Sequence, residues 1–315
     1  MVITEFTAEH IAQAQGLILA EYQVLQSKLP WMPEISAAPE LDYYVANHLG
    51  VAALDGEKLL GFLCCRNPFP DAFHTTGAKG IFTPLHAHAA VQENRAKLYD
   101  YLYQAAARKW VAEGIVSHAI CFYSHDRVTL EQFFWNGFGM RCIDAARENT
   151  PLVPQHADPI DCRKLPKAEL HLLLEMQNRL ISHLGSSPCF LSYAALSEER
   201  FLAANDDNHF FIAEVQGKPV AYLRFSKEGE NFISNCGKMI NISGAFCLPD
   251  FRGSGVVDQL LDFAADFWRN QGYQLVGVDC ESINPTARKY WLKHFTPYTY
   301  SLVRRIDEKA AGITD

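Results

Sequence analysis

The sequence predicts a mixed α/β fold built twice: two tandem domains, each a twisted mixed sheet flanked by helices. Three observations carry this. Both halves run through the same order of elements, β-α-α-β-β-β-α-β-α-β, which is the pattern of a partly antiparallel sheet covered by helices. At 315 residues the chain is long for a single hydrophobic core. A tryptophan, a glycine four residues later and a polar helix cap twelve residues after that recur at equal spacing, as Trp110, Gly114 and Asp126 and as Trp268, Gly272 and Asn284.

In the first half, Ile3-Thr-Glu-Phe reads as a short strand, and a helical apolar pattern follows from about Ala8 to Leu25. Val51 to Leu63 reads as a hairpin turning at Asp55-Gly56. Ile81-Phe-Thr-Pro leads into a helix beginning near Gln92, with Leu98, Tyr101, Leu102 and Ala105 as its core stripe. The strand Ile115 to Phe122 follows, and Asp126 opens an aromatic helix, Glu131-Gln-Phe-Phe-Trp. Four prolines among polar residues between Asn149 and Pro166 mark a linker. The expected division is therefore a domain over 1–148, a linker over 149–159 and a second domain over 160–315.

The second half opens with the strand Ile160 to Leu165 and a helix from about Pro166 to Leu184, apolar along Leu170, Leu173, Leu174, Met176, Leu180 and Ile181. A hairpin over Phe210 to Leu223 turns at Gln216-Gly217. The strand Gln274 to Cys280 precedes Asn284, which opens the helix containing Arg288-Lys-Tyr-Trp-Leu.

Composition is that of an ordinary globular protein, 49% hydrophobic and 20% charged. The net charge of −8 argues against a nucleic-acid binder and suits a cationic acceptor, although mild acidity is common. Nine scattered cysteines, an odd number without a Cys-x-x-Cys, read as reduced thiols in the cytoplasm. The N-terminus has no basic segment followed by an apolar one, so no signal peptide is expected. No apolar run approaches the ~20 residues of a membrane span.

The most informative stretch is Phe246-Cys-Leu-Pro-Asp-Phe-Arg-Gly-Ser-Gly-Val-Val257. An apolar run ends at Pro249, Arg252 and two glycines follow, and a long amphipathic helix begins at once. Such a helix start is an anion site, because its first N–H groups lack intrahelical partners and the helix dipole favours negative charge there. Gly253 and Gly255 let the backbone approach a phosphate without a Cβ in the way. By itself, Arg-Gly-Ser-Gly is equally an ordinary strand–helix turn.

With that element order, residues 160–307 resemble the GNAT acetyltransferase superfamily. Its acetyl-CoA motif is Arg/Gln-x-x-Gly-x-Gly/Ala between a strand and a helix; Arg252 and Gly255 match it, and Val257 stands where the family prefers Gly or Ala. The resemblance implies acetyl-CoA (or CoA) as cofactor. Its pyrophosphate would rest on the N–H groups of Gly253, Ser254, Gly255, Val256 and Val257, and its pantetheine arm would pair with the backbone of Phe246, Cys247 and Leu248 like an added strand. Asn284 and Ala287 match the family's second motif, and Asn284 is the implied pantetheine contact. The family's tyrosine position holds Trp291, and the tyrosine is one residue earlier, Tyr290, which on a helix points about 100° away. Tyr290 is the candidate acid for the departing thiolate, with Tyr298, Tyr300 or water as alternatives. The first half keeps the skeleton but has no glycine between Gly80 and Gly114, so it reads as a degenerate copy.

Direct transfer also needs a base for the attacking amine. Asp279 and Glu281 share one face of a strand, and Glu281, following the strand close to the implied thioester, is the candidate; a water relay is the alternative. Cys247 reads as a core residue because no basic partner accompanies it. His86 and His88 read as surface histidines without further metal ligands, and Cys64-Cys65 as a half-buried strand pair. The loop Leu184 to Tyr193 is the candidate acceptor wall, through Phe190 and Tyr193. The functional expectation is an acetyltransferase acting on an amine of a small molecule or peptide, with no nucleic-acid or membrane partner. A non-catalytic CoA-binding or interaction module, or the same fold with a different acyl donor, are the alternatives.

Overall fold

The computed structural model describes residues 1–74, 77–152 and 160–311. The core of the expected linker, residues 153–159, lies outside the described residues. In chain order the elements are β1 (Val2–Glu5), α1 (Ile11–Lys28), α2 (Asp42–Ala46), β2 (Val51–Asp55), β3 (Lys58–Leu63), β4 (Gly80–Thr83), β5 (His88–Ala90), α3 (Arg95–Ala112), β6 (Ser117–Tyr123), α4 (Arg127–Trp135) and β7 (Gly139–Glu148). They continue as β8 (Asp161–Leu165), α5 (Leu174–Gly185), α6 (Glu198–Ala203), β9 (His209–Val215), β10 (Lys218–Ser226), β11 (Met239–Cys247), α7 (Val256–Asn270), β12 (Leu275–Glu281), α8 (Pro285–His294) and β13 (Thr296–Arg305). None of the described helices is long and apolar enough to cross a membrane.

The chain forms two compact units that are not contiguous in sequence. One holds residues 1–143, 231–233 and 297–315; the other holds 144–230 and 234–296. The linear division expected from the prolines places the last strand with the second domain, whereas most of β13 belongs to the first unit. There it pairs antiparallel with β6, from Thr299↔Tyr123 to Arg305↔Ser117. β6 is buried along its whole length, so the pairing satisfies backbone groups that water does not reach.

In the N-terminal unit, one sheet has the order β1-β2-β3-β5 and a second the order β4-β6-β13. The expected single strand after residue 80 is thus two strands. β4 pairs parallel with β6 (Gly80↔Ser117 to Thr83↔Ile120), and β5 pairs antiparallel with β3 (Gly61↔Ala90 to Leu63↔His88). Trp110, Tyr99, Tyr103, Phe122 and Phe133 form the centre of its core. The helix expected from Gln92 starts at Arg95, because Asn94 is left-handed at φ 52°. Two other expectations are corrected. His88 is a core residue, not a surface one, since both ring nitrogens are engaged inside the unit, and His86 is half-buried against Tyr44. Cys64 and Cys65 lie just beyond β3 and are fully buried.

In the C-terminal unit the strand order is β12-β11-β10-β9-β8. The β9–β10 hairpin turns at Gln216-Gly217, both with positive φ (51° and 71°), as a two-residue hairpin turn requires. Asp126 and Asn284 cap their helices as expected, accepting hydrogen bonds from the N–H groups of Thr129 (3.1 Å) and Ala287 (3.3 Å).

Burial holds His88, His118 and His86 neutral, pushing each down to about 4 from the usual 6.5. A depressed histidine supplies stability that is complete above the unfolded value and lost as pH falls toward the folded one. Unfolding midpoints in urea are therefore expected to drop between about pH 6.5 and 4, and His88→Gln should flatten that dependence by on the order of 3 kcal/mol. An unchanged slope would contradict the assignment.

Candidate acyl-CoA site

The site forms where β11 and β12 part. They pair in parallel only from Met239↔Leu275 to Ile242↔Val278, although the strands run on to Cys247 and Glu281. The cause lies in β11. Its register with β10 slips between Arg224↔Gly244 and Phe225↔Ile242, leaving Ser243 as an extra residue. Such a bulge bends and twists its strand. Arg224 clamps it: Nε donates to Ser243 Oγ (3.1 Å), one terminal nitrogen to the Ser243 carbonyl, and the other to Asn205 Oδ1 (3.2 Å). Beyond the bulge the two strands enclose a wedge.

At the wide end of the wedge the backbone leaves Cys247, makes a short 3-10 turn at Pro249–Phe251 and enters α7. Gly253 (φ 76°) and Gly255 (φ 84°) hold left-handed backbone that a side chain would strain. Arg252 ties the turn to the strand, its Nε donating to the Cys247 carbonyl (3.0 Å) while its guanidinium lies 5.6 Å from the Phe246 ring centroid. Ser254 Oγ donates to the Phe251 carbonyl (2.7 Å). The branched Val257 does not delay the helix, which begins at Val256 and buries Val256, Leu260, Leu261, Ala264, Ala265 and Trp268.

A cavity of about 970 Å³ opens along this turn and the start of α8. Of the residues singled out in the sequence, Phe246, Cys247, Arg252, Gly253, Gly255, Val257, Asn284 and Tyr290 line it. Leu248, Ser254 and Val256 stand in the same turn without lining it, and Glu281 lies at the end of β12 outside the lining. Glu281 instead anchors the following turn, its carbonyl accepting the Asn284 N–H (3.0 Å). Phe190 of the expected acceptor wall is 72% exposed, and the neighbouring Cys189 is buried with its thiol toward the Ile283 carbonyl (3.5 Å). Tyr298 is buried in the N-terminal unit, where its hydroxyl accepts from Asn231 Nδ2 (3.0 Å).

Tyr290 and Trp291 both reach the cavity, stacked edge-on at 4.9 Å. The Tyr290 hydroxyl is sealed from solvent and, among the described residues, has no well-directed hydrogen bond. Burial, and then the Asp258 carboxylate, push it well above the usual phenol range. Asp258 stands in the first turn of α7, itself faced by His294 Nε2 at 3.1 Å and Lys293 Nζ at 3.6 Å. No sequence pattern announces this group, because Asp258 and His294 lie far apart in the chain and an acid in a first helical turn reads as a dipole partner.

The N-terminal unit closes the corresponding places with its own side chains. His88 Nε2 donates to the carbonyl of Cys121 (2.7 Å), the first residue of β6 beyond its pairing with β4, and Tyr99 donates to His88 Nδ1 (2.7 Å). At the start of α3, Arg95 binds Glu21 (2.7 Å), the cap residue Asp126 (2.7 Å) and the Ala90 carbonyl. The guanidinium is buried with Glu21, so an internal ion pair stands beside the helix start.

Residues 175–295 match the family described as the acetyltransferase (GNAT) family. An uncharacterized N-acetyltransferase of Methanocaldococcus jannaschii is 34% identical over 79 residues, 24% of this chain; the match spans about a third (34%) of that relative's length. Among solved structures, a GCN5-related N-acetyltransferase from Sphaerobacter thermophilus superposes with a TM-score of 0.59 at 12% identity, covering 96% of this chain and 95% of that one. A GCN5-related glucosamine N-acetyltransferase region of a fungal multi-domain GH3 beta-N-acetylglucosaminidase gives 0.52 at 14% identity, covering 96% of this chain and 38% of that one. These likenesses establish the fold, a GNAT-like sheet-and-helix arrangement spanning both halves of the chain.

Two outcomes follow from this geometry. Burial pushes the Cys247 thiol up to about 11, against the opposing pull of Arg252, so the unreactive thiol form dominates at neutral pH. Peptide mapping after iodoacetamide treatment at pH 8 should find Cys247 alkylated far more slowly than a free thiol; an ordinary rate would restore it as a nucleophile. Arg95→Met leaves Glu21 buried without its cation and should cost about 3–5 kcal/mol in equilibrium unfolding.

Proposed function

We propose that this chain, whose residues 175–295 match the GNAT acetyltransferase family, moves an acetyl group from acetyl-CoA to an amine of a small molecule or peptide by direct attack. The observation that carries the proposal is the wedge between β11 and β12, opening onto a glycine turn and a helix start. Each part suits one part of the cofactor. The amides of the glycine turn and the first residues of α7, from Gly253 to Val257, offer donors and a favourable dipole to the pyrophosphate. The edge of β11 at Phe246 to Leu248 offers its backbone to the amide groups of the pantetheine arm. Asn284, held as the cap of α8, lines the same cavity.

Binding along this edge would bring the thioester to the bulge, where an amine can be held against it. Catalysis then rests on positioning and polarisation of the thioester carbonyl. Nitrogen attacks the carbonyl carbon, the C–N bond forms, and the C–S bond breaks with its electron pair leaving on sulfur. The amine proton falls to a carboxylate at the end of β12. Tyr290, protonated and bordering the cavity, is the candidate to return a proton to the thiolate. None of the nine cysteines is joined in a disulfide, which suits a reducing compartment such as the cytoplasm.

A second reading, binding without transfer, is favoured by one feature: Trp291 is buried against the cavity where the family places its tyrosine. Isothermal titration separates the readings in two steps. Acetyl-CoA should bind, and no heat at high micromolar concentration would sink both readings. An amine panel should then be acetylated; binding with no turnover of any amine would favour the second. Gly255→Glu places a side chain at φ 84° and a negative charge at the pyrophosphate, and should abolish binding of acetyl-CoA.

A further inference from the structure

We infer that Asp279, in preference to Glu281, is the residue that takes the proton from the attacking amine. The inference rests on the transferase reading above. Its geometric basis is the narrow end of the wedge. Val278 is the last residue of β12 paired with β11, and Asp279 is the first beyond it. On β11 the position after the last paired residue, Ile242, is Ser243, the extra residue of the bulge. An acyl arm laid along β11 from the glycine turn enters beside Leu248 and ends near Ser243, about 16 Å further on at ~3.3 Å per residue. Its reactive end would therefore come level with Asp279, which, like Glu281, stands outside the lining of the cavity along the glycine turn. Glu281 lies two residues nearer the wide end, half-buried, and its backbone is committed to the turn that caps α8.

The surroundings tune the same carboxyl. Cys280 points into the core while Asp279 is exposed. Water thus reaches Asp279, yet protein surrounds it closely enough that loss of hydration dominates its titration. Repulsion from Glu230, from Asp144 on β7 and from Glu281 on β12 adds to this, and Arg224 on β10 opposes it. The result is a carboxyl raised to about 7 from the usual 3.8. A base poised near the working pH is both unprotonated often enough and strong enough to accept a proton.

The step balances simply. The acceptor enters as an ammonium ion, and the Asp279 carboxylate removes one nitrogen proton. The freed lone pair forms the C–N bond to the thioester carbonyl carbon, and the C–S bond breaks. The thiolate leaves with its electrons, and the second nitrogen proton, shed as the amide forms, passes to it through Tyr290 or water, so that Tyr290 ends protonated and Asp279 holds the first proton.

The experiment has two independent readouts on the full chain. Carboxyl carbon NMR of protein labelled in aspartate, with and without CoA, is assigned by the signal lost in Asp279→Asn. A titration midpoint near 7 is expected, and one near the ordinary value of about 4 overturns the inference even if no acceptor is in hand. With any amine that is acetylated, Asp279→Asn should lower kcat about 100-fold or more and abolish the acidic limb of the pH profile. KM for acetyl-CoA should stay as in the wild type, Asp279→Glu should restore part of the rate, and Glu281→Gln should keep the acidic limb. The limb surviving in Asp279→Asn overturns the inference. Failure of the wild type to bind CoA counts instead against the transferase reading, and leaves the NMR titration to judge Asp279.

Discussion

Backbone groups at a sheet interruption must find partners, and this requirement organises both units. A strand that leaves its neighbour exposes N–H and C=O groups, which are costly to bury alone. β11 leaves β12 after Ile242 and Val278, and the bulge at Ser243 with the Arg224 clamp holds the separation open. In the N-terminal unit the same separation is reached more abruptly, by splitting one strand into β4 and β5. There His88 and Arg95 supply the missing partners from within the chain.

This contrast distinguishes the two units physically. Loss of the glycine turn would by itself leave an awkward hollow at the start of α3. Instead, Asn94 adopts the left-handed conformation and Arg95 brings a buried cation to the helix start, answered by Glu21 and Asp126. A guanidinium there opposes the helix dipole, so the two carboxylates are needed to balance both. At the corresponding place the C-terminal unit has a glycine turn, with Asp258 in the first turn of α7 faced by His294 and Lys293.

Much of this was legible in the sequence. The Trp–Gly–cap spacing located two copies of one domain because it fixes helix end, turn and next helix start at once, and the caps Asp126 and Asn284 are where it put them. The glycine turn was legible because positive φ demands glycine. What stayed hidden depends on contacts distant in sequence. His86 and His88 look like surface residues until Tyr99 and Cys121 close over the second of them. The bulge at Ser243 has no marker in a run of small residues, so the preference between Asp279 and Glu281 could not be drawn from strand alternation, which places both on one face. The exchange of β13 was hidden for the same reason, since β13 reads as the natural last strand of its own half.

That exchange bears on the order in which the protein is made. Domains generally fold as they emerge from the ribosome, the N-terminal one first. Here the first unit lacks a strand until residues 297–305 appear, after the whole sequence of the second unit has been synthesised. Until then β6 presents an apolar, unpaired edge, a template for pairing with other chains. The N-terminal unit is thus the last to be completed, and β6 waits for its partner strand for the time it takes to translate the neighbouring unit.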